Sequence, residues 1–125
     1  DQWYLLYNAR KVHWYLDKNK AVISMNPIYT VDEIKQITYE IAKKHGVGRI
    51  FLFSSYARGD ANSDSDLDFR IDRGKIKGLF ALGGLYADLE ESFEIPIDIV
   101  VSDSLNEEFI REISNEEVLI YEHKQ

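Results

Sequence analysis

The stretch Phe51-Leu-Phe-Ser-Ser-Tyr-Ala-Arg-Gly-Asp-Ala-Asn-Ser-Asp-Ser-Asp-Leu-Asp-Phe-Arg-Ile-Asp72 decides how the rest of the sequence is read. It opens apolar, passes through a Ser-Ser pair and Arg58-Gly59, crosses a polar turn and ends in an alternating segment. In a strand, Asp66, Asp68 and Arg70 share one face while Leu67, Phe69 and Ile71 share the other. Carboxylates two residues apart along a strand stand about 6.6 Å apart, close enough to lean onto one ion. Two like charges so placed stay ionised at low cost only beside a cation. At the other end, a strand that turns directly into a helix at Ser54-Ser55 presents free amides to an anion. The Ser55 hydroxyl adds a donor, Arg58 adds charge, and Gly59 permits a sharp turn before Asp60. The stretch therefore points to a metal-dependent site that handles phosphate.

Upstream, Asn26-Pro27 marks a break, and Thr30-Val-Asp-Glu33 has the spacing of a capping box. Val31, Ile34, Ile37 and Ile41 follow at helical intervals, with Lys43-Lys44-His45 at the negative end and Gly46 as the left-handed cap. His45 reads as a helix-end cation or a polar surface residue rather than a catalyst. Arg49–Phe53 is short and almost wholly apolar, as expected of a strand buried on both faces. Downstream, Leu79, Leu82, Leu85, Leu89 and Phe93 predict a second helix, which Gly83-Gly84 weakens by about 1 kcal/mol per glycine while permitting close packing. Ile95–Val101 reads as a strand carrying a single charge, Asp98. Ser102 or Ser104 is placed to cap a last helix through Leu105, Phe109, Ile110 and Ile113, and Val118–Tyr121 reads as a closing strand.

An Asp in the middle of an apolar strand is unfavourable unless something compensates it. If the Asp98 strand lies beside the one bearing Asp66 and Asp68, at the usual spacing of about 4.8 Å, three carboxylates converge. One or two Mg²⁺ ions, which take oxygen ligands and keep waters and phosphate oxygens as the remainder, suit such a set. The bland alternative for Asp66 and Asp68 is a turn cap or a solvated strand edge; the Ser-Ser pair, Arg-Gly and Asp98 tip the balance toward function. Asp60, Asn62, Asp64 and Ser65 read as turn formers. A calcium loop starting at Asp60 fails, because its sixth position is Ser65 rather than Gly and its twelfth is Ile71 rather than Glu.

At 125 residues the chain suits one domain with a real core. An apolar share of 45% with 30% charged residues excludes a disordered chain. The absence of cysteine excludes disulfides and thiolate chemistry. No uncharged run comes near the length of a membrane span, no cationic apolar leader is seen, and a cytoplasmic setting is expected. Net charge is −7, yet residues 1–20 hold four basic and two acidic side chains and leave −9 to the remainder. So acidic a body disfavours non-specific nucleic-acid binding. Residues 1–24 form a separate N-terminal segment rich in aromatics, expected to be helical through Trp3, Leu6, Tyr7 and Trp14 and to be the end of a truncated upstream region. His13 there has no ligand-like companion. The functional domain is expected over 25–125.

Ser54-Ser-Tyr-Ala-Arg-Gly59, Ser65-Asp-Leu-Asp68 and Ile97-Asp98-Ile99 together resemble the minimal nucleotidyltransferases of the DNA polymerase beta superfamily, the MNT-type antitoxins commonly paired with a HEPN-domain toxin. The resemblance covers about residues 31–122. It implies an α/β fold, a small mixed-sheet palm with flanking helices, and Mg²⁺-dependent transfer from ATP or another NTP to a hydroxyl. By that resemblance Asp66 and Asp68 hold both metals, and Asp98 completes the catalytic metal site and assists deprotonation of the incoming hydroxyl. Ser54, Ser55, Arg58 and Gly59 form the nucleotide-binding turn, and the acceptor is a tyrosine of a HEPN-type toxin. The alternative is a weakened palm that neutralises its partner by binding alone. Two residues depart from the pattern. Ser54 stands where the family usually has Gly and crowds the backbone's approach to phosphate. Arg70 replaces an apolar residue on the acid-bearing face, where it would neutralise the pair or contact phosphate. The toxin's own Arg–His ribonuclease pattern is absent.

Overall fold

A computed structural model describes residues 26–124, so the expected N-terminal helical segment lies outside the described residues. The first helix, α1 (Val31–His45), starts where its cap chemistry dictates. The Glu33 amide donates to the Thr30 hydroxyl at 3.1 Å, and the Thr30 amide donates to the Glu33 carboxylate at 2.9 Å. Gly46 ends the helix at φ 73°, and its amide returns to the Ala42 and Lys43 carbonyls. Ile34, Thr38 and Ala42 point inward; the buried Thr38 hydroxyl is satisfied by the Ile34 carbonyl at 2.8 Å.

The chain then forms β1 (Arg49–Phe53), a single turn of helix α2 (Ser55–Arg58), β2 (Leu67–Asp72), α3 (Gly78–Ser92), β3 (Ile97–Val101), α4 (Glu107–Ser114) and β4 (Val118–Glu122). The strands make one mixed sheet in the order β3-β2-β1-β4. β1 pairs antiparallel with β2 and with β4, whereas β2 and β3 are parallel. A parallel neighbour requires a crossover, and α3 supplies it. Leu67, Phe69 and Ile71 of β2, with Ile50 and Leu52 of β1, bury one face of the sheet among Ile34, Ala42, Leu85 and Leu89 of α1 and α3. Alternation then turns Asp68, Arg70 and Asp72 to the opposite face.

Three expectations need correcting. β1 is not buried on both faces: Ile50 and Leu52 are sealed, but Phe51 and Phe53 are only half covered. Neither Ser102 nor Ser104 caps the last helix. Both lie in a 3₁₀ turn, Ser102–Ser104, and the cap is Asn106, whose side chain accepts the Phe109 amide at 2.7 Å. Asp98 is also less costly than a buried mid-strand acid, since β3 is an edge strand and the side chain is exposed. No helix among the described residues is long and apolar enough to cross a membrane.

His45 does more than decorate a helix end. Its Nε2 lies 2.6 Å from Asp88 Oδ2 on α3, and Lys44 Nζ reaches the same oxygen at 3.2 Å. These two bonds, His45 first, hold the Asp88 carboxyl below its usual range. A depressed carboxylate contributes stability that is present above its unfolded pKa of about 3.9 and lost as pH falls through the folded value. Asp88→Asn is therefore expected to lower stability at neutral pH by under about 1 kcal/mol, because the site is partly exposed. The difference from wild type should close below about pH 4, as read from urea midpoints across pH.

Candidate active site

Two elements far apart in sequence bring the acids together. In the parallel β2–β3 pair, Asp68 stands directly opposite Asp98, at an interstrand spacing of about 4.8 Å. The amide of Leu67 donates to the Pro96 carbonyl at 3.0 Å and pins the register at the end where Asp66 enters β2. Asp68 is half-buried and its pKa is raised, first by loss of solvent and then by the negative charges of Asp98 and Asp66; a hydrogen bond from Ser54 opposes the rise. Among the described residues, no positive charge acts on Asp68.

The donor set is all oxygen and short of a cation, which is the chemistry a hard divalent ion satisfies. Among the described residues no three His, Cys, Asp or Glu side chains are already gathered into a metal-holding group. Backbone register, rather than closed side-chain geometry, is what aligns Asp68 with Asp98.

Ser54 follows Phe53, the β1 residue paired with Asp68. Its backbone has φ 65° and ψ −148°, and it is the one described non-glycine residue with positive φ. That region is essentially reserved for glycine and costs other residues about 1–3 kcal/mol. The reason for the strain is visible in the turn it makes. The Ser54 carbonyl accepts the amides of Ala57 and Arg58, each at 3.0 Å, so the chain reverses from β1 into α2 within one residue. The Ser54 side chain caps nothing in the helix, and its hydroxyl is near enough to Asp68 to oppose the rise in that carboxyl's pKa. The Ser55 and Tyr56 amides, first in α2, have no intrahelical partner. Gly59 closes the turn at φ 85° with its amide on the Ser55 carbonyl. Arg58 is exposed, with long contacts to Asp60 (3.4 Å) and Glu116 (3.9 Å).

Ser54→Gly is expected to raise stability by about 1 kcal/mol. Relief of about 1–3 kcal/mol of backbone strain exceeds the roughly 0.5–1 kcal/mol of chain entropy that glycine costs. A higher urea midpoint at unchanged slope is the result that checks it.

The polar segment after Gly59 is a turn, as its composition suggests. Asn62 Oδ1 accepts the Asp64 amide at 2.8 Å, and Ser65 Oγ accepts the Asn62 amide at 2.9 Å.

Arg70 neither neutralises Asp68 nor waits for phosphate. Its guanidinium grips Glu117 through two bonds of 2.6 and 2.9 Å, donates to Ser102 Oγ at 2.6 Å, and lies 4.1 Å from the centre of the Phe51 ring. The hydrogen bond to Glu117 raises its pKa further. No local signal marks Glu117, which precedes β4 and approaches Arg70 only through the sheet order.

Comparison with known proteins agrees with this fold. The family model described as Polymerase beta, Nucleotidyltransferase matches residues 35–125. The protein adenylyltransferase MntA of Thermococcus cleftensis is 32% identical over 95 residues, covering 73% of this chain and 96% of that one. A Methanocaldococcus jannaschii chain that carries the name of a protein adenylyltransferase is 35% identical over 88 residues, covering 70% and 95%. Among solved structures, a minimal nucleotidyltransferase superposes with a TM-score of 0.63 at 25% identity, covering 72% of this chain and 95% of that one. A toxin–antitoxin structure with AMP-PNP gives 0.60 at 16% identity, covering 72% and 74%, a likeness of fold. With the mixed sheet, the Ser-Ser turn and the facing acids in place, the chain belongs to the polymerase-beta nucleotidyltransferase family, among relatives named protein adenylyltransferases.

Proposed function

We propose that this chain is an Mg²⁺-dependent protein adenylyltransferase that moves AMP from ATP to a tyrosine hydroxyl of a HEPN-type toxin. The observation that carries the reading is the pairing of Asp68 with Asp98 across β2 and β3, beside a turn whose first amides are open. One solved neighbour is described as a tri-AMPylated Shewanella oneidensis HEPN toxin in complex with an MNT antitoxin, and it suggests both the transferred group and the acceptor.

In this reading Asp66, Asp68 and Asp98 hold the metal, which when bound neutralises charge on the triphosphate and on the reacting oxygens. Ser55, the amides that open α2 and Arg58 hold the phosphates, with Gly59 setting their turn. Asp98, exposed at the sheet edge, is open to an incoming hydroxyl and accepts its proton. The hydroxyl oxygen forms a bond to the α-phosphorus, the α–β anhydride bond breaks, and pyrophosphate leaves. The domain responsible spans 25–125.

The test is to incubate the chain with Mg-ATP and its co-expressed partner and to look for added AMP by mass spectrometry. Labelled tyrosine is expected. No transfer to the partner, under conditions where a related enzyme is active, overturns the reading. A second reading is a binding-only antitoxin, favoured by one observation: Ser54 places a side chain at the positive-φ residue that turns β1 into α2. It predicts tight partner binding without transfer, and binding that survives loss of Asp68.

A further inference from the structure

The sequence before and along α3 leaves its largest apolar side chains in water. Leu79 is 84% exposed and Phe80 99% exposed, and Gly83, Tyr86 and Ala87 are exposed with them. At 100° per residue these five lie on one face of the helix, opposite Leu85 and Leu89, which are fully buried. An isolated exposed Leu needs no explanation, but two adjacent large side chains on a continuous apolar face mark a contact surface. A Cβ added to Gly83 would meet nothing within 4 Å, so the middle of the face is an open notch.

Charge says what fits there. Lys75 and Lys77, both exposed, precede the apolar face, while Glu90 and Glu91 follow it on the same side of the helix. The face is therefore cationic at its start, acidic at its end, and smallest at its middle. A surface with this polarity is complementary to itself when a second copy is turned end for end. We infer that two copies of this chain associate through α3, antiparallel, about a two-fold axis beside Gly83. Leu79 and Phe80 of one copy then pack against the partner's Ala87, and Lys77 faces the partner's Glu90. Such an isologous contact closes on itself, leaving no apolar face to propagate. The missing side chain of Gly83 lets the helices approach. α3 is about 22 Å long, so one helix pair lies at the low end of specific interfaces. The dimer is accordingly concentration-dependent.

The experiment is sedimentation equilibrium of the full chain over a concentration series. Wild type is expected to pass from monomer to dimer, and a chain that stays monomeric throughout overturns the inference. Phe80→Glu, at a site too exposed to disturb folding, is expected to loosen the dimer on the order of thirtyfold, as removal of a central aromatic does. A dimer that tolerates this substitution uses another surface and also overturns it. The charge pairing has its own test. Lys77→Glu alone and Glu90→Lys alone should each weaken association by about tenfold at low salt, and the double swap should restore it. Failure of the swap to restore association rejects the antiparallel register. Association with an unrelated protein through Phe80, with no self-association, likewise counts against a second copy as the occupant.

Discussion

Asp68→Asn is expected to abolish nucleotide transfer while making the metal-free domain more stable at neutral pH. The two effects have one cause. Asp68 is half-buried opposite Asp98, and loss of solvent followed by repulsion from Asp98 and Asp66 raises its pKa. A carboxyl whose folded pKa lies above its unfolded value binds protons more readily in the native state. It therefore disfavours folding at pH above both values, and that penalty disappears as pH falls below about 3.9. Asparagine removes the charge but keeps the side chain's size and a polar oxygen. The variant's urea midpoint should exceed that of wild type at pH 7, and the gap should shrink steadily toward pH 4. Activity should fall on the order of 10⁴-fold, the scale on which single members of a catalytic constellation act. Circular dichroism with the urea titrations separates the outcomes. A variant that loses activity because it unfolds contradicts the argument, as does one that keeps activity. Wild type and variant should also differ in their response to Mg²⁺. Added ion should raise the midpoint of wild type, by binding only the folded state, and should do much less for the variant.

Periodicity and local chemistry made most of the fold legible. The Thr30–Glu33 box and Gly46 defined α1 because capping is a contact between residues three or four apart. Likewise Asp66, Asp68 and the Ser-Ser turn could be read as one unit because they are nearly contiguous. Asp98 was harder, since only the sheet order brings β3 against β2. Its single charge in an apolar run drew attention for a reason that proved incomplete: the edge strand leaves the side chain exposed. Arg70 was misread because its neighbours in sequence are acids. Its actual partner lies 47 residues away, and nothing local to Glu116-Glu117 announces that pairing. The Ser102 and Ser104 cap failed because three residues with equal capping chemistry lie within five positions, and a 3₁₀ turn consumed the first two.

The Arg70–Glu117 pair supports the other large expected effect: Glu117→Ala should destabilise the domain by about 3 kcal/mol. Both side chains are nearly sealed from solvent, 8% exposed for Arg70 and 4% for Glu117. Removing one member of a buried pair strands the other, at a typical cost of 3–5 kcal/mol. The lower end applies because Arg70 keeps Ser102 Oγ at 2.6 Å and Asp72 at 3.4 Å. Against a total stability of about 5–15 kcal/mol, this should bring the thermal midpoint down by well over ten degrees. The pair also has a structural address. Arg70 is opposite Phe51 on β1, stacks on that ring, and reaches past it to Glu117, the residue just before β4. It thereby ties β2 and β1 to the residue before β4 on the half-covered face. Replacing both partners, Arg70→Met with Glu117→Leu, should recover most of the loss, since apolar groups of similar size leave no buried charge. A double-mutant cycle reads the coupling directly. If the pair is a clamp and not a phosphate contact, both variants should retain nucleotide transfer well below their melting temperatures. A double variant that is stable but inactive would return Arg70 to the substrate.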